Sequence, residues 1–173
     1  MRVFLDANIL FSAGKSAGAI RRLVEEIQAC GHECVADEYV IAEARRNLEQ
    51  KFPSALRDFV NLLRGISRLA SPHSLSTPSL DLLLPEKDRP VLASAIQHQC
   101  QALLTGDKTH FGRLYGQTIA GVCVHSPQSL AEQLAGVTAA KMDVNHRGHR
   151  EHGGKSRVRM GQRKRGNLAS RVT

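Results

Sequence analysis

The sequence contains no apolar run approaching the roughly 20 residues that a membrane-spanning helix needs, and its longest are a few residues. Asp6 interrupts the only N-terminal segment that could serve as a signal h-region, so the sequence reads as that of a cytoplasmic protein with no membrane partner. A dense cysteine framework is missing as well, because Cys30, Cys34, Cys100 and Cys123 are scattered through apolar segments. Cys30-x-His32-x-Cys34 has no second ligand pair at a zinc-site spacing, which leaves packed free thiols as the expectation. Internal repeats are absent. What remains, at 173 residues and 42% hydrophobic, is enough for one domain with a real core plus an appendage.

Net charge is missing from most of the chain despite a total of +8. Residues 141–173 hold ten of the 24 Lys and Arg and two of the 16 Asp and Glu, which leaves 14 of each sign before them. That basic segment has no aromatic residue and no apolar periodicity, so it cannot offset its ordering entropy by burial and is expected to be disordered. The expected organisation is a domain over residues 1–136 and a disordered basic tail over 137–173.

The body alternates strand-like and helix-like segments. Val3, Phe4 and Leu5 suit a strand buried on both faces, which ends at Asp6. Ser16 is the expected N-cap of a helix bearing Ile20, Leu23, Val24 and Ile27 at helical spacing. Glu33 to Ala36 reads as a strand, and Asp37 caps a helix with Val40, Ile41, Ala44 and Leu48 on one arc, flanked by Glu43. Pro53 opens a helix through Leu56, Phe59, Val60 and Leu63, followed after Gly65 by a strand at Ile66 to Ala70. Residues 71–85 look like a long loop. Asp88 and Pro90 begin a helix bearing Val91, Leu92, Ala95 and Ile96. Ala102 to Thr105 and Val122 to Val124 are strands, and Ser126-Pro127 opens a last helix through Leu130 and Leu134. Such alternation predicts an α/β fold, a parallel sheet with helices on both faces.

In a parallel sheet, Asp6 and Asp107 both follow strands and project at the same carboxyl-terminal edge, where open α/β sheets bind ligands. Asp88 at a helix start and Glu43 in the second turn of its helix reach the same rim. Each acid also has an ordinary reading, as turn former, helix cap or solvated helix residue. Four from separate segments, however, repel one another unless a cation compensates. Oxygen ligation with no His or Cys at comparable places points to Mg²⁺ or Mn²⁺, and two such ions suit in-line phosphodiester displacement.

The motifs that carry these acids resemble those of the PIN-domain nucleases, a family that includes the VapC-type ribonuclease toxins of bacteria and archaea. They are Val3-Phe-Leu-Asp-Ala-Asn8, Ile41-Ala-Glu-Ala-Arg45, Lys87-Asp-Arg-Pro-Val-Leu-Ala-Ser-Ala95 and Leu104-Thr-Gly-Asp-Lys-Thr-His-Phe111. The resemblance covers roughly residues 2–135. It implies a three-layer α/β/α domain that hydrolyses RNA with Mg²⁺ or Mn²⁺ held by Asp6, Glu43, Asp88 and Asp107. Asn8 and Thr105 would orient those ligands or a water, and Glu86 is an alternative to Asp88. An antitoxin protein and a homodimer are partners the family implies. Arg147, Arg150, Arg157, Arg159, Arg163, Lys164 and Arg165 of the tail are the expected phosphate contacts to RNA. Two other classes compete: a non-catalytic RNA-binding module, and an aspartate-based phosphatase or phosphotransfer domain using Asp6 and Lys108. The latter generally wants a second acid where Asn8 stands.

Overall fold

The computed structural model describes residues 1–71 and 84–136. Most of the expected loop at 71–85, the tail over 137–173 and the basic residues assigned to RNA lie outside the described residues.

In chain order the elements are β1 (Arg2–Leu5), α1 (Ala7–Lys15), α2 (Ala19–Ala29), β2 (Glu33–Asp37), α3 (Glu38–Lys51), a 3-10 turn (Pro53–Ala55) running into α4 (Leu56–Leu63), and β3 (Ser67–Leu69). Then come α5 (Arg89–Gln97), β4 (Ala102–Leu104), the short α6 (Lys108–Phe111), β5 (Thr118–Ile119), β6 (Val122–His125) and a helix at 127–136, here α7. No helix among the described residues is long and apolar enough to cross a membrane.

The sheet has the order β3-β2-β1-β4-β6-β5, parallel throughout except for the β5–β6 pair, and helices flank it. Val3, Phe4 and Leu5 are fully buried, as are Leu103 and Leu104 of β4, because strands at the centre of a parallel sheet carry helices on both faces. From β1 the chain steps outward through β2 and β3, then crosses to β4 on the other side. The switch point, where ligands settle in such sheets, therefore lies beyond the carboxyl ends of β1 and β4. The antiparallel edge was not expected. It follows from a two-residue turn in which Ala120 (φ 47°) and Gly121 (φ 88°) are both left-handed, a conformation that matches hairpin twist and that glycine adopts without strain.

One helix assignment is corrected. Ser16 is the C-cap of α1, a helix absent from the sequence expectation, while α2 starts after Gly18 with no side-chain cap. Leu23, Val24 and Ile27 are buried as their spacing requires, with Ile20 only partly so. On α4, Phe59 and Leu63 are buried but Val60 is 40% exposed. Cys34 and Cys100 are buried free thiols. Burial pushes them up to about 12 and about 11, so they pack as small apolar groups.

α1 crosses α3 and α4 at close range through Gly14. A Cβ at that position would stand 2.7 Å from Phe59 Cδ2 and 3.2 Å from Leu48 Cδ1, both on fully buried side chains with no room to withdraw. Gly14→Ala would ordinarily stabilise a helix by about 1 kcal/mol. Here overpacking should outweigh that, for a net loss of roughly 1–2 kcal/mol. A urea midpoint equal to or above that of the wild type would show that the α1–α4 contact is looser than described.

Candidate active site

The register of the two central strands builds the site's floor. Leu5 pairs with Leu104, and Asp6 N–H then donates to Leu104 O at 3.1 Å, so Asp6 and Thr105 leave their strands side by side. Thr105 Oγ1 donates to Asp6 Oδ2 at 2.6 Å, and Asn8 Nδ2 donates to the same oxygen at 2.6 Å. Asp6 Oδ1 accepts from Ala7 N–H at 2.6 Å as the N-cap of α1. Asn8 in turn accepts from Gly106 N–H at 2.7 Å, and Asp107 N–H donates to Thr105 Oγ1 at 3.1 Å. A single network thus locks the ends of β1 and β4 together.

Asp6 is only 6% exposed. Burial pushes its carboxyl up to about 6, and the charge of Glu43 acts the same way, while the bonds from Thr105, Ala7 and Asn8 oppose both. Asp107 caps α6, accepting from Thr109 and His110 N–H at 2.9 and 3.1 Å. Burial works to raise its carboxyl, but the side chain and backbone of His110 and the Thr109 N–H prevail and hold it below the ordinary carboxylate value.

Asp6, Glu43, Asp88 and Asp107 all line one open cavity of about 480 Å³, together with Asn8 and Lys87. All four expected acids are therefore brought together, each from a different segment. Thr105 is fully buried beneath Asp6, where it positions that carboxylate. Glu86 is exposed and does not line the cavity, so of the two acids beside α5 it is Asp88 that faces inward. Asp88 stands at the N-cap position of α5 but makes no side-chain capping bond, and its Oδ2 is buried with no hydrogen-bond partner among the described residues. By contrast Asp37, at the end of β2, is fully used as a cap, accepting from Val40 N–H at 3.0 Å.

No His or Cys was expected at places comparable to these acids, and His110 corrects that. His110 Nδ1 lies 2.7 Å from Asp107 Oδ2 and 3.4 Å from Asp88 Oδ2. Asp88, Asp107 and His110 form a group whose ligand atoms all lie within 4.8 Å of one another, close enough to hold a metal ion. The signal was present in the sequence as Asp107-x-x-His110, a spacing that meets on the first turn of a helix. Lys87, which supplies a cation to a cavity of acids, was also missed as a site residue.

The Asp88 oxygen, which makes no hydrogen bond and has the His110 ring nitrogen beside it at 3.4 Å, and the converging carboxylates fit a hard divalent cation, since one cation satisfies several such oxygens at once.

Solved structures share this fold, among them two from VapBC complexes. One is a chain of VapBC2 from Rickettsia felis, determined bound to a DNA fragment from their promoter. It matches with a TM-score of 0.56 at 15% identity over 73% of this chain and 98% of that one. The other is a chain of VapBC-1 from nontypeable Haemophilus influenzae, with a TM-score of 0.53 at 15% identity over 74% and 99%. No protein-family model matches the sequence, and neither does any curated protein. By fold, the chain holds an α/β/α domain with a mostly parallel central sheet, similar to the matched chains of these VapBC structures.

Proposed function

We propose that the domain is an endoribonuclease that hydrolyses RNA phosphodiester bonds with Mg²⁺ or Mn²⁺. The observation that carries this reading is the convergence of four carboxylates on one open cavity at the sheet's switch point. Asp6, Glu43, Asp88 and Asp107 would hold the cation, which when bound supplies Lewis acidity and the positive charge the carboxylates lack. Asn8 and Thr105 keep Asp6 in one orientation, and His110 does the same for Asp107. Lys87 at the wall can meet a phosphate that the acids alone would repel. The two structural matches belong to VapBC complexes, which supports extending to this chain the role of a toxin held by an antitoxin protein, and a homodimer.

Three outcomes separate this reading from its rivals when the protein meets structured RNA and, separately, a small phosphate ester, each with and without Mn²⁺. RNA cleavage only with Mn²⁺ supports the nuclease. Ester hydrolysis favours an aspartate phosphatase, and RNA bound but intact favours a binding module.

The basic residues of the tail, Arg147 to Arg165 among them, extend this proposal. Lined by acids, the cavity repels a polyanion, and an arm with ten Lys and Arg against two acids is one source of attraction. Truncation after Gly136 is expected to leave a folded, metal-dependent nuclease that binds RNA more weakly at low salt. The slope of log affinity against log salt should shrink by up to about 0.7 for each phosphate the arm had contacted, with sequence preference unchanged. Equal slopes for both forms, measured with Ca²⁺ in place of Mg²⁺, would mean that the arm does not touch RNA.

A further inference from the structure

We propose that the concavity beside the acidic cavity is a nucleobase subsite, where Tyr39 stacks on the base next to the cleaved phosphate and Arg46 and Asn47 hold that nucleotide's phosphate and base edge. This rests on reading the acidic cavity as an RNA phosphodiester site.

Tyr39 is 44% exposed, one of three large apolar side chains left open among the described residues. It lies in the first turn of α3 and forms part of the wall of the acidic cavity. It also belongs to a neighbouring concavity of about 320 Å³, lined further by Ala42, Glu43, Arg46 and Asn47. These residues follow one another at three- and four-residue steps along α3, so they share a single face of one helix. Glu43 and Tyr39 are common to both hollows, which makes the second a continuation of the first.

Chemistry changes sign along that face. One turn along α3 from Tyr39 stands Glu43, which both hollows share, and the Arg46 guanidinium stands beyond it, three residues further on. Both influences reach the Tyr39 hydroxyl, which is raised by burial, then by Glu43, Asp88 and Asp37, and lowered by Arg46. A nucleotide strand with one phosphate at the carboxylate centre would therefore have an open aromatic face and a planar cation within reach along α3, on either side of Glu43. Aromatic faces bind bases of any sequence through their π-surfaces. Guanidinium matches phosphate in a bidentate fork, and the Asn47 amide can both donate to and accept from a base edge. The Tyr39 N–H donates to Ser71 Oγ at 3.1 Å, which anchors the backbone under the ring.

Binding to a short labelled single-stranded RNA, by anisotropy with the full chain in Ca²⁺, tests this. The chain has no Trp and two Tyr, the other being Tyr115 beside Thr105, so the part of the RNA-induced tyrosine quenching that Tyr39→Phe removes reports stacking at Tyr39. Tyr39→Phe is expected to bind within about twofold of the wild type, because it keeps the ring. Tyr39→Ala should lose about tenfold or more, the scale of one base–aromatic stack, and Arg46→Gln should lose affinity and flatten the salt dependence. Abasic residues walked along the RNA should reproduce the Tyr39→Ala loss at one position, and Tyr39→Ala should lose nothing further there. In Mn²⁺, Tyr39→Ala should raise KM with kcat retained. Losses that add in full, a Tyr39→Ala variant that binds like the wild type, or a wild type that binds no RNA would each overturn the subsite. A wild type that binds RNA with this Tyr39 dependence but never cleaves it would uphold the subsite and sink the nuclease reading alone.

Discussion

Asp107→Asn is expected to reduce metal-dependent RNA cleavage by on the order of a thousandfold, the scale of losing one preorganised charge-stabilising group, while leaving the metal-free protein folded with only a small loss of stability. The geometry explains why the two effects separate. Asparagine Oδ1 can keep both backbone bonds, from Thr109 and His110, that make Asp107 the cap of α6. Its Nδ2 would then face His110 Nδ1, which accepts once the imidazole adopts the other tautomer. One charge is lost from a cluster of like charges, which offsets part of what goes with the bonds from His110 and Thr109 that hold the Asp107 carboxyl low, so the cost in the metal-free protein should be small. The measurements are cleavage of RNA in Mn²⁺ and thermal unfolding in a chelator. Activity within about tenfold of the wild type would remove Asp107 from the proposed chemistry, and a clear drop in unfolding temperature would show that its cap matters more than its charge.

How much of this was legible beforehand differs residue by residue. β1, β2 and β4 announce themselves as short continuous apolar runs, and the parallel order they imply puts Asp6 and Asp107 on one edge. α1 was hidden because its apolar residues follow those of β1 with only Asp6 and Asn8 between them, so the change of period from strand to helix falls inside one short, largely hydrophobic stretch. Asp6 is moreover the N-cap of that helix, and a residue singled out as a metal ligand gave no hint of doing a second task. Spacing along α3 told which face Glu43 shares, but its meeting with the other acids depends on how α3 leaves β2 through Asp37, a tertiary matter. His110 escaped notice because α6 is one turn long, too short to show periodicity. β5 is two residues, and only the Ala120-Gly121 turn betrays it. The subtlest omission is the unsatisfied oxygen of Asp88, since a sequence shows a carboxylate at a helix start but not whether it caps.

Asp6 should impose a falling stability on the metal-free protein as pH rises from about 4 to about 6. Burial holds its carboxyl at about 6 in the folded state, against an ordinary value of 3.8. The folded form then keeps a proton that the unfolded chain releases, and stability falls with pH wherever the native state binds more protons. The contribution is fully present below pH 4 and lost as pH rises through about 6. A carboxyl displaced that far changes stability by at most about 3 kcal/mol across the interval. Asp107 acts in the opposite sense, because its carboxyl is held low and its contribution is lost only as pH falls below the ordinary carboxylate range. The two windows do not overlap. Asp6→Asn isolates the first, although its absolute stability is a poor guide. Asn8 Nδ2 and Thr105 Oγ1 both donate to Asp6 Oδ2 while Ala7 N–H donates to Oδ1, so an amide nitrogen on either side faces a donor. That mismatch lowers stability by a constant, whereas the lost titration removes a slope. Urea unfolding in a chelator at several pH values should give curves for the two proteins that converge or cross between pH 4 and 6 and run parallel above. Added Mn²⁺ should stabilise the wild type increasingly over the same interval, because a cation and a proton compete for one carboxylate. Parallel curves across the whole range would show that Asp6 does not carry the raised carboxyl, and that the buried network of Thr105, Asn8 and Ala7 outweighs the cost of its burial.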